Sequence, residues 1–169
     1  MGLLSKHIKM SIKDFIQSDF KLIVNSDKYY GSKTNNDSIN YLFDFSNVDD
    51  GLYELTFTFA GESQNEEFAG PAELKIDFFD SKTYVVNPTT TCLSTTTHIG
   101  LLYPDIISTT GGYLYAKASD NPPTIIRKPQ GNLFNVSILN VAGTSYLDGS
   151  GNPVAKYLLA LNFHKVANN

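Results

Sequence analysis

The chain has 169 residues, 13 Lys and Arg against 17 Asp and Glu, and a formal net charge of −4. Hydrophobic residues make up 41% and charged residues 18%, a mixture that excludes disorder over most of the chain and can close a core without disulfides or metal. Arg127 is the only arginine, which argues against the basic patches and bidentate arginines of nucleic-acid-binding proteins, so no direct nucleic-acid partner is expected.

Residues 1–14 stand apart. Lys6, Lys9 and Lys13 make them basic within an acidic protein. Leu4, Ile8, Ile12 and Ile16 recur every fourth residue, as on one face of a short helix, while Ile8, Met10 and Ile12 also alternate with polar residues, as in an edge strand. Either pattern gives an arm with one apolar side. The opening Met1-Gly2 suggests myristoylation, but that signal wants Ser or Thr where this chain has Lys6. Neither a secretory h-region nor an apolar run of about 18 residues is present, so no signal peptide and no transmembrane segment are expected.

From Phe20 onward the signals are those of strands. Phe20–Val24 is apolar and closed by Asn25-Ser26-Asp27. Ile39–Phe45 and Leu52–Phe59 alternate with period two, separated by the turn signal Asp49-Asp50-Gly51. Glu73–Phe79 alternates as well, and Asp80-Ser81-Lys82 predicts a hairpin into Thr83–Val86. Residues 88–112 read as less regular. Tyr113–Lys117, Thr124–Arg127 and Leu133–Val141 follow as strands, then a turn cluster at 148–153. Val154–Val166 is long, with Tyr157, Leu159, Leu161 and Phe163 on one face and Leu158 and Ala160 on the other. This strand is expected to be central or paired along its length. Ten Tyr and 11 Phe suit this β-rich reading. Eight or nine short strands without a 20–50-residue repeat predict an all-β antiparallel sandwich, a single jelly roll over residues 15–169 behind the arm at 1–14.

Catalytic and metal signals are weak. His7, His98 and His164 are scattered and form no ligand pair, and Cys92 is the single cysteine, so neither a zinc site nor an internal disulfide is expected. Lack of disulfides fits a reducing compartment. Asp148, Ser150 and Asn152 have the spacing of a calcium loop, but the position of its bidentate Glu is Leu159, and Asp-Gly and Asn-Pro are ordinary turn chemistry. Cys92, His98 and Asp105 invite a thiol-nucleophile reading that their spacing does not require. Glu62, Glu66 and Glu67, and Asp49 and Asp50, read as solvated turns rather than a glycosidase pair. No enzymatic activity and no cofactor are expected. The sequons at Asn36 and Asn135 read as chance occurrences.

Two features point instead to contact with other proteins. One is the basic arm. The other is the stretch between Lys82 and Asp105, which holds no Asp, Glu, Lys or Arg, as in the cores of interfaces. The candidate inter-subunit contacts are therefore Leu4, Ile8 and Ile12 in the arm and Leu93, Ile99, Leu101, Leu102 and Tyr103 in the uncharged stretch.

The segment order also carries a resemblance. Phe20–Asp27, a polar loop, Ile39–Phe45 and Leu52–Phe59 resemble the opening strands of viral single-jelly-roll capsid proteins. Asn121–Pro129, Phe134–Ile138, Tyr146-Leu147-Asp148 and Tyr157–Phe163 are similar to minor capsid and penton proteins of large double-stranded DNA viruses of eukaryotes and of virophages. The likeness covers about residues 15–166 and rests on strand rhythm and turns. It implies a structural capsid protein, a penton or minor component, assembled in the host cytoplasm into the virion. Its partners would be copies of itself, as a pentamer, and a major capsid protein. The competing expectation is a trimeric lectin-like or receptor-binding sandwich, with Tyr29, Tyr30 and Tyr103 at loop tips. An enzyme on a cupin scaffold would want the clustered His and Glu that this chain lacks.

Overall fold

Alternating sequences become strands when one parity can be buried, and here it is. The computed structural model describes residues 19–28, 31, 38–63, 70–77, 83–87, 90–95, 98–108, 111–140 and 142–167; for those within 83–98 and 106–111, and for 167, the backbone alone. Eleven strands lie among them: β1 (Asp19–Asn25), β2 (Ser38–Leu42), β3 (Leu52–Glu62), β4 (Ala72–Ile76), β5 (Thr83–Asn87), β6 (Thr90–Thr95), β7 (His98–Ser108), β8 (Gly111–Ala116), β9 (Thr124–Arg127), β10 (Leu133–Leu139) and β11 (Lys156–Ala167).

Pairing runs in the order β1-β11-β3-β8-β7-β4-β10-β2, antiparallel at every step. Its hinge is β7. The first half of β7 pairs β4 from His98 to Leu102, and the second half pairs β8 from Tyr103 onward, with a register shift between Asp105 and Ser108. The path thus divides into two four-stranded sheets, β1-β11-β3-β8 and β2-β10-β4-β7. Apart from β4 to β7, successive strands of these two sheets cross between them. This is the eight-stranded single jelly roll expected from the strand rhythm. Outside the eight, β9 lies beside the start of β3, and β5 and β6 form a hairpin of their own within the β4–β7 connection.

The core is where the inward parities meet. Leu55, Phe57 and Phe59 of β3 and Leu159, Leu161 and Phe163 of β11 are buried from one sheet, and Leu74, Ile76, Val136 and Ile138 of β4 and β10 from the other. Each such side chain contributes roughly 1.5–3 kcal/mol by leaving water. Two contacts span the sheets: the Tyr41 and Tyr157 hydroxyls are 3.0 Å apart, and Phe20 stacks on Phe163 at 4.3 Å while lying 6.4 Å from Phe43. At Gly100 a β-carbon would come within 2.7 Å of the Phe57 ring and 2.6 Å of the Asn121 amide, so β7 and β3 approach more closely there than a side chain allows.

Several boundaries differ from the sequence reading. The expected hairpin between Glu73–Phe79 and Thr83–Val86 is not made. β4 is claimed on both sides by β10 and β7, and β5 pairs β6 instead. Residues 88–112, expected to be less regular, hold β6 and the 11-residue β7, whose β-branched residues suit extended backbone. The strand expected through Phe45 stops at Leu42, because Asp44 accepts the Ser46 N–H and caps a 3-10 turn at Phe45–Asn47. The long strand predicted at Val154–Val166 is β11, paired to β1 on one side and β3 on the other. The arm at 1–14 lies outside the described residues.

Candidate interaction surface

Register places the outward side chains of β1-β11-β3-β8 in rows running across the strands. One row is Asn25, Leu158, Ala60, Tyr115 and, on β7, Tyr103. The next toward the loops is Lys156, Glu62, Tyr113 and Asp105. On the other side come Ile23, Ala160 and Thr58, then Lys21, Asn162 and Thr56, and last Asp19, His164, Glu54 and Ile125. Exposed apolar members stand in the three rows nearest the loops, and Ile125 at 37% and Val166 at 46% are exposed toward the other end. Ile23 is 65% exposed, Leu158 52%, Tyr113 46% and Tyr103 37%. A contiguous exposed apolar face of this kind marks an interaction site far more often than scattered single residues do.

The face is also hollowed. An open concavity of about 300 Å³ is lined by Asn25, Asp27, Ala60, Gly61, Glu62, Tyr113, Lys156, Tyr157 and Leu158. Gly61 is buried at its floor, where a β-carbon would meet the Phe59 ring at 2.9 Å. Ser26, fully buried beside it, ties the end of β1 to β11: its N–H donates to the Tyr157 carbonyl at 3.1 Å and its hydroxyl accepts the Tyr157 N–H at 2.9 Å. The distal rows are mainly polar, with Ile125 among them. Asp19 Oδ1 lies 2.8 Å from His164 Nδ1 and accepts the Lys165 N–H, and its hydrogen bond to His164 holds its carboxyl below the usual range.

The opposite outer face, on β2-β10-β4, has a different character. Asn135 donates to Asn40 at 3.0 Å, Ser137 donates to Asn135 at 2.6 Å, and Lys75 pairs with Glu73 at 3.4 Å. Its exposed apolar members are Leu42 and Leu133, which face each other at one end.

The predicted contact residues separate on this frame. Tyr103 lies in the apolar row. Leu101 is half-buried, and its backbone is bracketed by the Asn121 amide, which accepts from its N–H at 2.7 Å and donates to its carbonyl at 2.9 Å. Ile99 and Leu102 are a correction: at 3% and 0% exposed they are core residues with no surface to offer a neighbour, Leu102 because it pairs with buried Ala72 and shares its inward parity, and Ile99, of the opposite parity, at the register shift where Leu74 pairs Gly100 and Lys75 pairs His98. Leu93 is on β6, among the residues of which only backbone is described, and Leu4, Ile8 and Ile12 lie outside the described residues, as do Tyr29 and Tyr30. Sequence reasoning did not single out Ile23, Ala60 and Tyr113 as exposed on this face. The available signal was the double parity of Tyr113-Leu114-Tyr115-Ala116 and Tyr157–Leu161, apolar on both faces, as in strands covered on both sides.

The catalytic and metal candidates do not converge. Asp49 pairs with Lys165 at 3.2 Å and Asp50 with Lys128 at 3.1 Å, so these neighbours serve separate ion pairs. Asp148 Oδ1 accepts the N–H groups of Ser150 and Asn152 and closes its own turn, while Leu159 is fully buried in the core. Asp105 stands opposite Tyr113, and the side chains of Cys92 and His98 are outside the described set. Among the described residues no group of three or more His, Cys, Asp or Glu side chains could hold a metal ion, and no helix is long and apolar enough to cross a membrane. No family model, no curated protein and no solved structure matches the chain.

Proposed function

We propose that this chain is a structural protein of a viral shell, a penton or minor capsid component, and that it works by subunit contacts. The observation that carries the reading is the divided surface of the jelly roll, with exposed Ile23, Leu158, Tyr113 and Tyr103 on one outer face and, on the other, a hydrogen-bonded polar ladder with the apolar pair Leu42 and Leu133 at its end. A protein that stayed alone would not gain from leaving that apolar face in water, whereas covering it with a neighbour releases the cost. The identity of the shell as viral comes from the resemblance in strand rhythm and turns. The fold alone would host many functions.

Light scattering behind a sizing column tests this. A particle of five times the 18.7 kDa chain mass supports a vertex pentamer. A monomer removes the vertex role and leaves a minor position between other shell proteins. A trimer favours the second reading, a receptor-binding or lectin-like module. The concavity supports that alternative, since Tyr113 offers a ring beside the polar groups of Asn25, Asp27 and Glu62, the combination a sugar uses. Binding on a glycan array, lost in Tyr113→Ala, would establish it in place of the shell role.

A further inference from the structure

The apolar face carries an acidic rim. Asp27 and Glu62 line its concavity and Asp105 flanks Tyr113, with Lys156 the cation among them. Pressing two such faces together would bring like charges into contact, which disfavours a self-complementary face-to-face pair. The fitting occupant is a basic segment with one apolar side, and the sequence holds one: Lys6, Lys9 and Lys13 interleaved with Leu4, Ile8 and Ile12. Direction matters as well. β1 runs from Asp19, at the polar end of the face, toward Asn25 at the hollow. The described chain therefore enters this face at the end away from the hollow.

We infer that residues 4–13 of one copy dock on the outer face of the β1-β11-β3-β8 sheet of the next, with the isoleucines on Leu158, Ala60 and Tyr113 and the lysines toward Asp27, Glu62 and Asp105. The inference rests on the assembly reading above and names the contact that carries it. Such a contact is head-to-tail, the kind that closes into a ring when the rotation between copies allows.

The test uses the full chain. Isotopically heavy and light preparations are mixed dilute, concentrated together, and treated with a carbodiimide, which joins lysine amines to nearby carboxylates. The expected products are heavy–light peptides linking Lys6, Lys9 or Lys13 to Asp27, Glu62 or Asp105. Leu158→Lys, at an exposed position, should lower their yield roughly tenfold by removing the apolar seat and adding like charge, and Asn135→Lys on the opposite face should not. Arm peptides found only within one copy would overturn the inference, showing that the arm covers its own face. Association by light scattering without arm linkages to this face would overturn it while sparing the assembly reading. A chain that never associates with itself would overturn the inference, together with the vertex role.

Discussion

The two outer faces of this sandwich are built on the same inner plan and dressed differently. Behind both lies one interior of alternating Leu, Ile, Val and Phe. In front, β2-β10-β4 shows Asn40, Asn135 and Ser137 linked by their own hydrogen bonds, while β1-β11-β3-β8 shows Ile23, Leu158, Ala60 and Tyr113 around a hollow. Polar side chains satisfied by one another need no partner, and apolar ones in water gain from any that fits. The difference teaches that stability and association are separable in this molecule. Inward parity sets the first, and on the proposed reading one of the two outward parities sets the second.

That separation can be broken in graded ways. Phe163→Ala, on the inner side of the apolar sheet, should cost about 3–5 kcal/mol in denaturant unfolding through loss of a fully buried ring stacked on Phe20. Alkaline titration should next reveal the shared interior. Burial pushes Tyr41, Tyr53 and Tyr146 up to about 12. Their folded values lie above the ordinary value near 10, so the stability they hold is full below about pH 10 and is lost as pH rises toward 12. Tyrosinate absorbance should therefore lag for these three of the ten tyrosines until the fold opens, and early, complete titration in the folded protein would contradict the packing.

Smaller effects distinguish the faces themselves. Leu158→Lys should leave the unfolding midpoint within about 0.5 kcal/mol of the parent, as exposed substitutions do, while weakening association about tenfold. Asn135→Ala should do the reverse, costing about 1 kcal/mol of stability through its lost hydrogen bonds and leaving association unchanged. The smallest expected effect is at acid pH. Asp19, held low by His164, and Asp44, held low by the Ser46 N–H, add stability above the normal carboxylate range and lose it as pH falls through their lowered values. Both are exposed, so an acid titration of Asp19→Asn should differ only slightly from that of the parent.

Much of this architecture was legible in the sequence because period two is a local signal. Tyr53, Leu55, Phe57 and Phe59 declared an inward face, and the stretch ending at Val166 declared its length. Pairing was not legible in the same way. The turn signal at Asp80-Ser81-Lys82 argued for a local hairpin, but β4 gains two neighbours by pairing β7 and β10, a preference set by residues up to 66 positions distant (Glu73 to Leu139). The apolar row was hidden for a related reason. Leu158 and Ala160 were visible on the second face of their strand, yet Asn25, Ala60, Tyr115 and Tyr103 join Leu158 only through a register fixed across five strands. Ile99 and Leu102 were misplaced because an uncharged stretch reads alike whether it lines an interface or the interior of its own domain.

The account turns on whether the apolar outer face is where copies meet. The most direct measurement is the solution mass, by light scattering at matched concentrations, of the parent chain beside Leu158→Lys and Asn135→Lys. The account predicts an oligomer for the parent and for Asn135→Lys, and a shift to the 18.7 kDa monomer for Leu158→Lys. Equal masses for the two variants, whether both associated or both monomeric, would contradict it.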